Sequence, residues 1–199
     1  MPIDSSIIEL HATASRQAID LARRARPEQF TAPTPCAGWD LRRLLDHLTS
    51  ENLGFAAAAR GHGADRTIWA GDDQRADPVG DYVKATEDLM AAFAEPGVLD
   101  RSFALPLLSE QEFPGEQAVM MHLVDTVVHA WDLARTLDLP VEFDRPVTDP
   151  VLALSRQIPD DETRKGPKAF FGPVVPFAED ASDLDQIVAL LGRSPSWPN

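Results

Sequence analysis

The sequence predicts an all-α protein: a four-helix bundle with a long crossover between its second and third helices and a proline-rich C-terminal appendage carrying short helices. Three observations lead there. Four segments repeat apolar residues at helical spacing, and each is bounded by recognisable start or stop chemistry. An aperiodic polar stretch, residues 61–76 (GHGADRTIWAGDDQRA), separates the second from the third and is long enough to run from one end of a bundle to the other. After Pro140 the long periodic runs disappear and prolines recur through to Pro198. Residues 1–140 are therefore expected to form the bundle and 141–199 an appendage packed on it.

The first helix opens at Ser6, which with Glu9 three residues later makes a capping box. It carries Ile7, Leu10, Ala14, Ile19 and Ala22 to an arginine-rich end before Pro27. A Pro/Gly connector, TAPTPCAG, follows. Asp40 then caps a second helix with Leu41, Leu44, Leu45, Leu48, Asn52 and Phe55 on one broad face, ending near Arg60 and Gly61. Asp77 before Pro78 marks entry to a third helix, which bears Tyr82, Ala85, Leu89 and Phe93 and stops at Glu95, Pro96 and Gly97. Phe103, Leu105 and Leu107 alternate in an extended connector, and Pro114 with Gly115 punctuates before a fourth helix over about Glu116 to Leu137. In the appendage, short helices are expected over Pro150 to Gln157 and Leu184 to Leu191, the latter stopped by Gly192.

Composition narrows the function classes. With 199 residues and 44% apolar content the chain can fill one substantial core. Thirty-two Asp and Glu against eighteen Lys and Arg give a formal charge of -14, a field that repels phosphate backbones and anionic lipid, so neither nucleic acid nor membrane is an expected partner. No apolar run approaches the roughly 18 residues of a membrane span. Cys36 is the single cysteine, which excludes an internal disulfide and a cysteine-based zinc cluster. Met1 to Leu10 shows no basic segment leading into an apolar core, and the expected compartment is the cytoplasm.

The five histidines are the scarce chemical resource. The segment Ala118 to Ala134 (AVMMHLVDTVVHAWDLA) is apolar almost all round, as an interior helix is, and His122, Asp125, His129 and Asp132 fall at spacings of three and four along one face. A buried carboxylate and a buried imidazole both need partners, and a metal ion satisfies both. Asp125 and His129 can present an oxygen and a nitrogen to one point. His47, on the second helix, is the best third ligand, with Glu51 one turn further on the same side. Two histidines and one carboxylate leave coordination positions open, the pattern of a reactive site. Glu51 is then the candidate catalytic group, as a general base, an additional ligand or an acceptor holding His47. His122 and Trp131 are candidates for shaping the cofactor pocket, a solvated position being the other reading of His122. Asp132 is expected to hold a backbone amide or an arginine near the crossover. The other reading of the same spacing is a hydrogen-bonded core pair. His11 and His62 are expected to be exposed. Cys36 lies eleven residues before His47, about 16 Å apart if fully helical, and is expected to pack in its turn away from the metal. A di-iron carboxylate site is disfavoured, because it uses Glu-x-x-His and this helix has Asp-x-x-x-His.

TPCAGWDLRRLLDHLTSENLGFAAAARG around His47, DTVVHAWDLARTLDLP around His129 and the tail FFGPVVPFAEDASDLDQIVALLGRSPSWP resemble the DinB superfamily of metal-binding proteins, specifically the relatives of the mycothiol-dependent maleylpyruvate isomerase metal-binding domain. The resemblance spans nearly the whole chain. It implies a DinB-like bundle holding a divalent metal through His47, Asp125 and His129, zinc first, with nickel or iron as alternatives, and mycothiol as cosubstrate. The isomerase has Glu where this sequence has Asp125, and nothing in the tail certifies the isomerase's own substrate-binding domain. The leading functional expectation is a thiol transferase or isomerase taking a small-molecule thiol and an electrophilic substrate. The alternatives are a metal-hydroxide hydrolase and a non-catalytic metal- or small-molecule-binding protein. A homodimer is the assembly left open.

Overall fold

The computed structural model describes residues 6–72, 74–166 and 169–198. It is an all-α fold of the expected kind, with helices α1 (Ile7–Ala22), α2 (Leu41–Ala59), α3 (Pro78–Phe93), α4 (Gly115–Leu137), α5 (Arg145–Ser155) and α6 (Asp183–Leu190). The one sheet among the described residues is a two-residue antiparallel ladder, β1 (Ser102–Phe103) on β2 (Phe113–Pro114), pairing Ser102 with Pro114 and Phe103 with Phe113. It narrows the expected extended connector to its first residues.

Local chemistry sets the helix ends. The Ser6 hydroxyl accepts from the Glu9 amide and the Glu9 carboxylate accepts from the Ser6 amide, a complete capping box. Asp40 and Asp77 cap α2 and α3 through the amides of Arg43 and Gly80. In the appendage, α5 starts at Arg145, five residues before the expected Pro150. Pro146 supplies the entry signal in the first turn, and Pro150 is carried inside the helix.

The bundle runs up, down, down, up. One end gathers the end of α1 (Leu21, Ala22), the start of α2 (Leu41, Leu44, Leu45), Tyr82 of α3 and the end of α4 (Leu133, Leu137). The opposite end gathers Phe55 to Ala59 of α2, Leu89 to Phe93 of α3 and Ala118 and Val119 of α4, with Ile7 and Ile8 against them. The helices α2 and α3 are therefore parallel neighbours, and the segment between them must traverse the bundle's length. It does so as a packed strap. Trp69 lies on Gly54, where an added Cβ would overlap its ring, and its indole N–H donates to the Gly63 carbonyl at 2.8 Å. Asp46 near the start of α2 then accepts from the Asp72 amide at 2.7 Å and from Arg75 Nε at 3.0 Å.

The appendage packs on the α1–α4 side. Val147, Val151 and Leu152 of α5 and Ile187 of α6, with Leu191 beyond it, bury against Ala14 of α1 and Leu123, Val124, Val127 and Val128 of α4. Buried Arg164 ties the coil between α5 and α6 together by donating to the carbonyls of Pro159, Ile158, Gly172 and Leu190 at 2.6–3.0 Å. Among the described residues no helix is long and apolar enough to cross a membrane.

Candidate metal centre

His47 stands in the second turn of α2, and Asp125 and His129 stand one turn apart on α4. One ligand atom from each lies within 4.8 Å of the others. The His47 and His129 rings sit edge to face with centroids 5.3 Å apart, and His129 Nε2 is 3.3 Å from Asp125 Oδ1. Trp39 flanks the His47 ring at 4.8 Å, and the Arg43 guanidinium covers the Trp39 ring at 5.3 Å. His129 is buried, whereas the Asp125 side chain keeps 31% of its surface exposed, so the donor set opens to solvent on the Asp125 side.

The electrostatics suit this donor set. Burial, reinforced by the neighbouring His129, lowers the His47 imidazole to about 4, so at neutral pH it is unprotonated and has a lone pair to offer. Burial alone would raise the Asp125 carboxyl, but His129 beside it more than offsets this and holds it well below the usual range. Burial would likewise lower His129. Asp125 and the hydrogen bonds around it outweigh that and raise it well above its ordinary value, so without a metal a proton holds the Asp125–His129 pair together. Glu51, half-buried on the same helix as His47, is pushed up to about 8, mainly by burial and then by Asp125.

Behind His129 lies a second group of donor atoms. Three donors converge on one oxygen of Asp132, whose side chain has no exposed surface: His129 Nδ1 at 2.8 Å, Arg193 Nη2 at 3.1 Å and Cys36 Sγ at 3.2 Å. Cys36, His129 and Asp132 also have ligand atoms within 4.8 Å, but the Arg193 guanidinium already occupies this group, 3.5 Å from Cys36 Sγ, and a cation there opposes a second one. The two groups use opposite nitrogens of His129. A carboxylate on Nδ1 fixes the ring and leaves Nε2 facing Asp125, the arrangement that ligating histidines adopt. The residues present therefore fit a divalent ion at the His47, Asp125, His129 set.

Several expectations need correction. Cys36 does not pack away from the site: it reaches 4.0 Å from His129 Nδ1. The helical-rise distance to His47 did not apply, because residues 33–40 fold into a closed loop, with Pro33 bridged to Asp40 and the Thr34 hydroxyl donating to the Trp39 carbonyl, and this loop points the thiol at α4. His11, expected exposed, is buried with 1% of its surface accessible, because it shares the face of Ala14, Ser15 and Ala18. His122 and Trp131 do not line an opening. His122 is enclosed, with Nδ1 2.9 Å from His11 Nε2 and Nε2 3.1 Å from Asn52 Oδ1, and Trp131 is a core residue whose ring packs under the Arg135 guanidinium at 5.2 Å. Asp132 does hold an arginine, but from the appendage. His62 is exposed as expected.

The family described as the mycothiol maleylpyruvate isomerase N-terminal domain matches residues 11–134, from α1 to the last turn of α4. The chain belongs to this family. The match contains the whole donor set and Cys36, and stops short of Arg193. The match thus covers most of the four bundle helices and none of α5 or α6. Two uncharacterized proteins of Mycobacterium tuberculosis, from strains CDC 1551 / Oshkosh and H37Rv, are each 28% identical over 189 residues, covering 92% of this chain and 96% of their own length. No solved structure matches the chain.

Proposed function

We propose that this member of the mycothiol maleylpyruvate isomerase N-terminal domain family is a cytoplasmic, divalent-metal-dependent enzyme of the thiol transferase or isomerase class, using zinc and a low-molecular-weight thiol such as mycothiol on an electrophilic substrate. The observation that carries this reading is the donor set itself. His47, Asp125 and His129 converge on one point, and His129 is held from behind by a buried carboxylate.

Each residue has a part in that reading. His47, kept unprotonated by burial, and Asp125, kept ionised, offer a nitrogen and an oxygen. His129 offers Nε2 while Nδ1 donates to Asp132. A divalent ion bound there supplies Lewis-acid stabilisation of a thiolate at neutral pH. Glu51 holds its proton up to about pH 8 and so can give or take one at working pH. Cys36 lies on the Nδ1 side of His129, outside the donor set, so the reacting thiol comes from the cosubstrate.

Elemental analysis followed by thiol titration of the cobalt-substituted protein tests site, metal and cosubstrate together. About one divalent ion per chain is expected, lost in the double change His47→Ala with His129→Ala, and the thiol should perturb the cobalt absorption. Full metal occupancy in the double variant overturns the site. Turnover of esters or amides without thiol reassigns the chemistry to hydrolysis.

A further inference from the structure

The carboxylate behind the donor set, Asp132, accepts from a residue 61 positions further along the chain. The last helix, α6, is seated on α4 by Ile187, with Leu191 just past its end. Gly192 then turns the chain with a φ of 85°, so close to Gly172 that a Cβ on it would meet the Gly172 Cα at 2.6 Å. The Arg193 amide bonds back to the Val188 carbonyl at 2.8 Å, and its Nη1 donates to the Leu191 carbonyl at 2.9 Å. Both ends of the residue are thereby fixed, and Nη2 is delivered to Asp132.

A carboxylate with no exposed surface needs a cation, and Arg193 is the permanently charged partner of Asp132. Without it, the Asp132 carboxylate loses the donor that fixes its Oδ2 and can turn away, which withdraws the acceptor that fixes His129 Nδ1. The imidazole would then be free to rotate Nε2 off the point shared with His47 and Asp125.

We propose that Arg193 is a positioning residue of the metal centre: it holds Asp132, Asp132 holds His129, and metal affinity in the bundle depends on the docked appendage. This rests on the metal-centre reading above. The full-length Arg193→Met, Arg193→Lys and Asp132→Asn variants are compared with the parent by zinc competition against a chromogenic chelator and by the visible spectrum of the cobalt(II) form. Arg193→Met should weaken zinc binding about 10- to 100-fold and alter the cobalt spectrum, and Arg193→Lys should restore part of both. Parent-like affinity and spectrum in Arg193→Met overturn the proposal while leaving the metal centre standing. A parent protein that binds neither ion overturns both. Should Arg193→Met fail to fold, Asp132→Asn with Arg193→Met, which removes the buried charge together with its partner, is read against Asp132→Asn alone. Equal affinity supports action through Asp132, and a further loss overturns it.

Discussion

Glu51 carries its proton into the neutral range because burial and Asp125 both oppose its charge, and this has a sign that can be measured. Its folded value of about 8 stands above its ordinary 4.5, so between those limits the folded chain binds more protons than the unfolded one, and this group's contribution to stability falls as pH rises. Metal-free Glu51→Gln should therefore lose less stability than the parent between pH 5 and pH 8, by about a few kcal/mol in urea unfolding. Identical pH profiles would show that Glu51 titrates normally. Asp125 and His129 were legible in the sequence because four residues along a helix is a fixed geometry, and His47 because it shares the second helix's apolar face. Cys36 and Arg193 were not legible, because a closed loop and a docked tail bring them to Asp132 and neither has a periodicity. The one signal was Asp132 itself, which on a nearly all-apolar helix called for a backbone amide or an arginine without saying from where.

At the level of the helices, a buried chain of hydrogen bonds crosses the bundle, and its direction can be deduced. The Thr86 hydroxyl donates to the Tyr82 carbonyl at 2.7 Å, so it accepts from Asn52 Nδ2 at 2.8 Å. That turns Asn52 Oδ1 toward His122 Nε2, which must donate, and leaves His122 Nδ1 to accept from His11 Nε2. All four bundle helices contribute one member, and both imidazoles are neutral. Asn52→Leu would strand the His122 N–H in the interior and should cost about 1–3 kcal/mol by urea unfolding, with m unchanged. Burial, and for His11 also His122, lowers both imidazoles, to about 4 in His122, below the ordinary 6.5. Between those values the unfolded chain binds more protons, so stability falls as pH falls through that window. His11→Phe should show a shallower decline between pH 7 and pH 4.5, by up to about 1.4 kcal/mol per unit. Helix ends were readable because caps are local chemistry; His11 was misread because a polar residue on a buried face looks like a surface residue until its partners on other helices are known.

In the whole molecule, the family domain and the appendage meet at α4, whose one long helix carries Asp125 and His129 toward the donor set and Leu123 and Val127 toward α5 and α6. Docking of the tail and binding of an ion are therefore two loads on the same helix, and they should be thermodynamically linked. Gly192 is the place to test this, because its φ of 85° and its contact with Gly172 leave no room for a side chain. Gly192→Ala should cost about 1–3 kcal/mol in the metal-free protein through strain at that turn. The decisive quantity is the stabilisation that zinc adds. An ion at a thousand times its dissociation constant adds about 4 kcal/mol, and each tenfold loss of affinity removes about 1.4 kcal/mol of it. If the turn only anchors the tail, the zinc increment in Gly192→Ala equals that of the parent. If displacing the turn pulls Arg193 from Asp132, the increment shrinks by at least about 1.4 kcal/mol, and the distant substitution is read at the metal. Thermal unfolding with and without zinc, in both proteins, separates the two outcomes, and the path from Gly192 through Arg193 and Asp132 to His129 predicts the second.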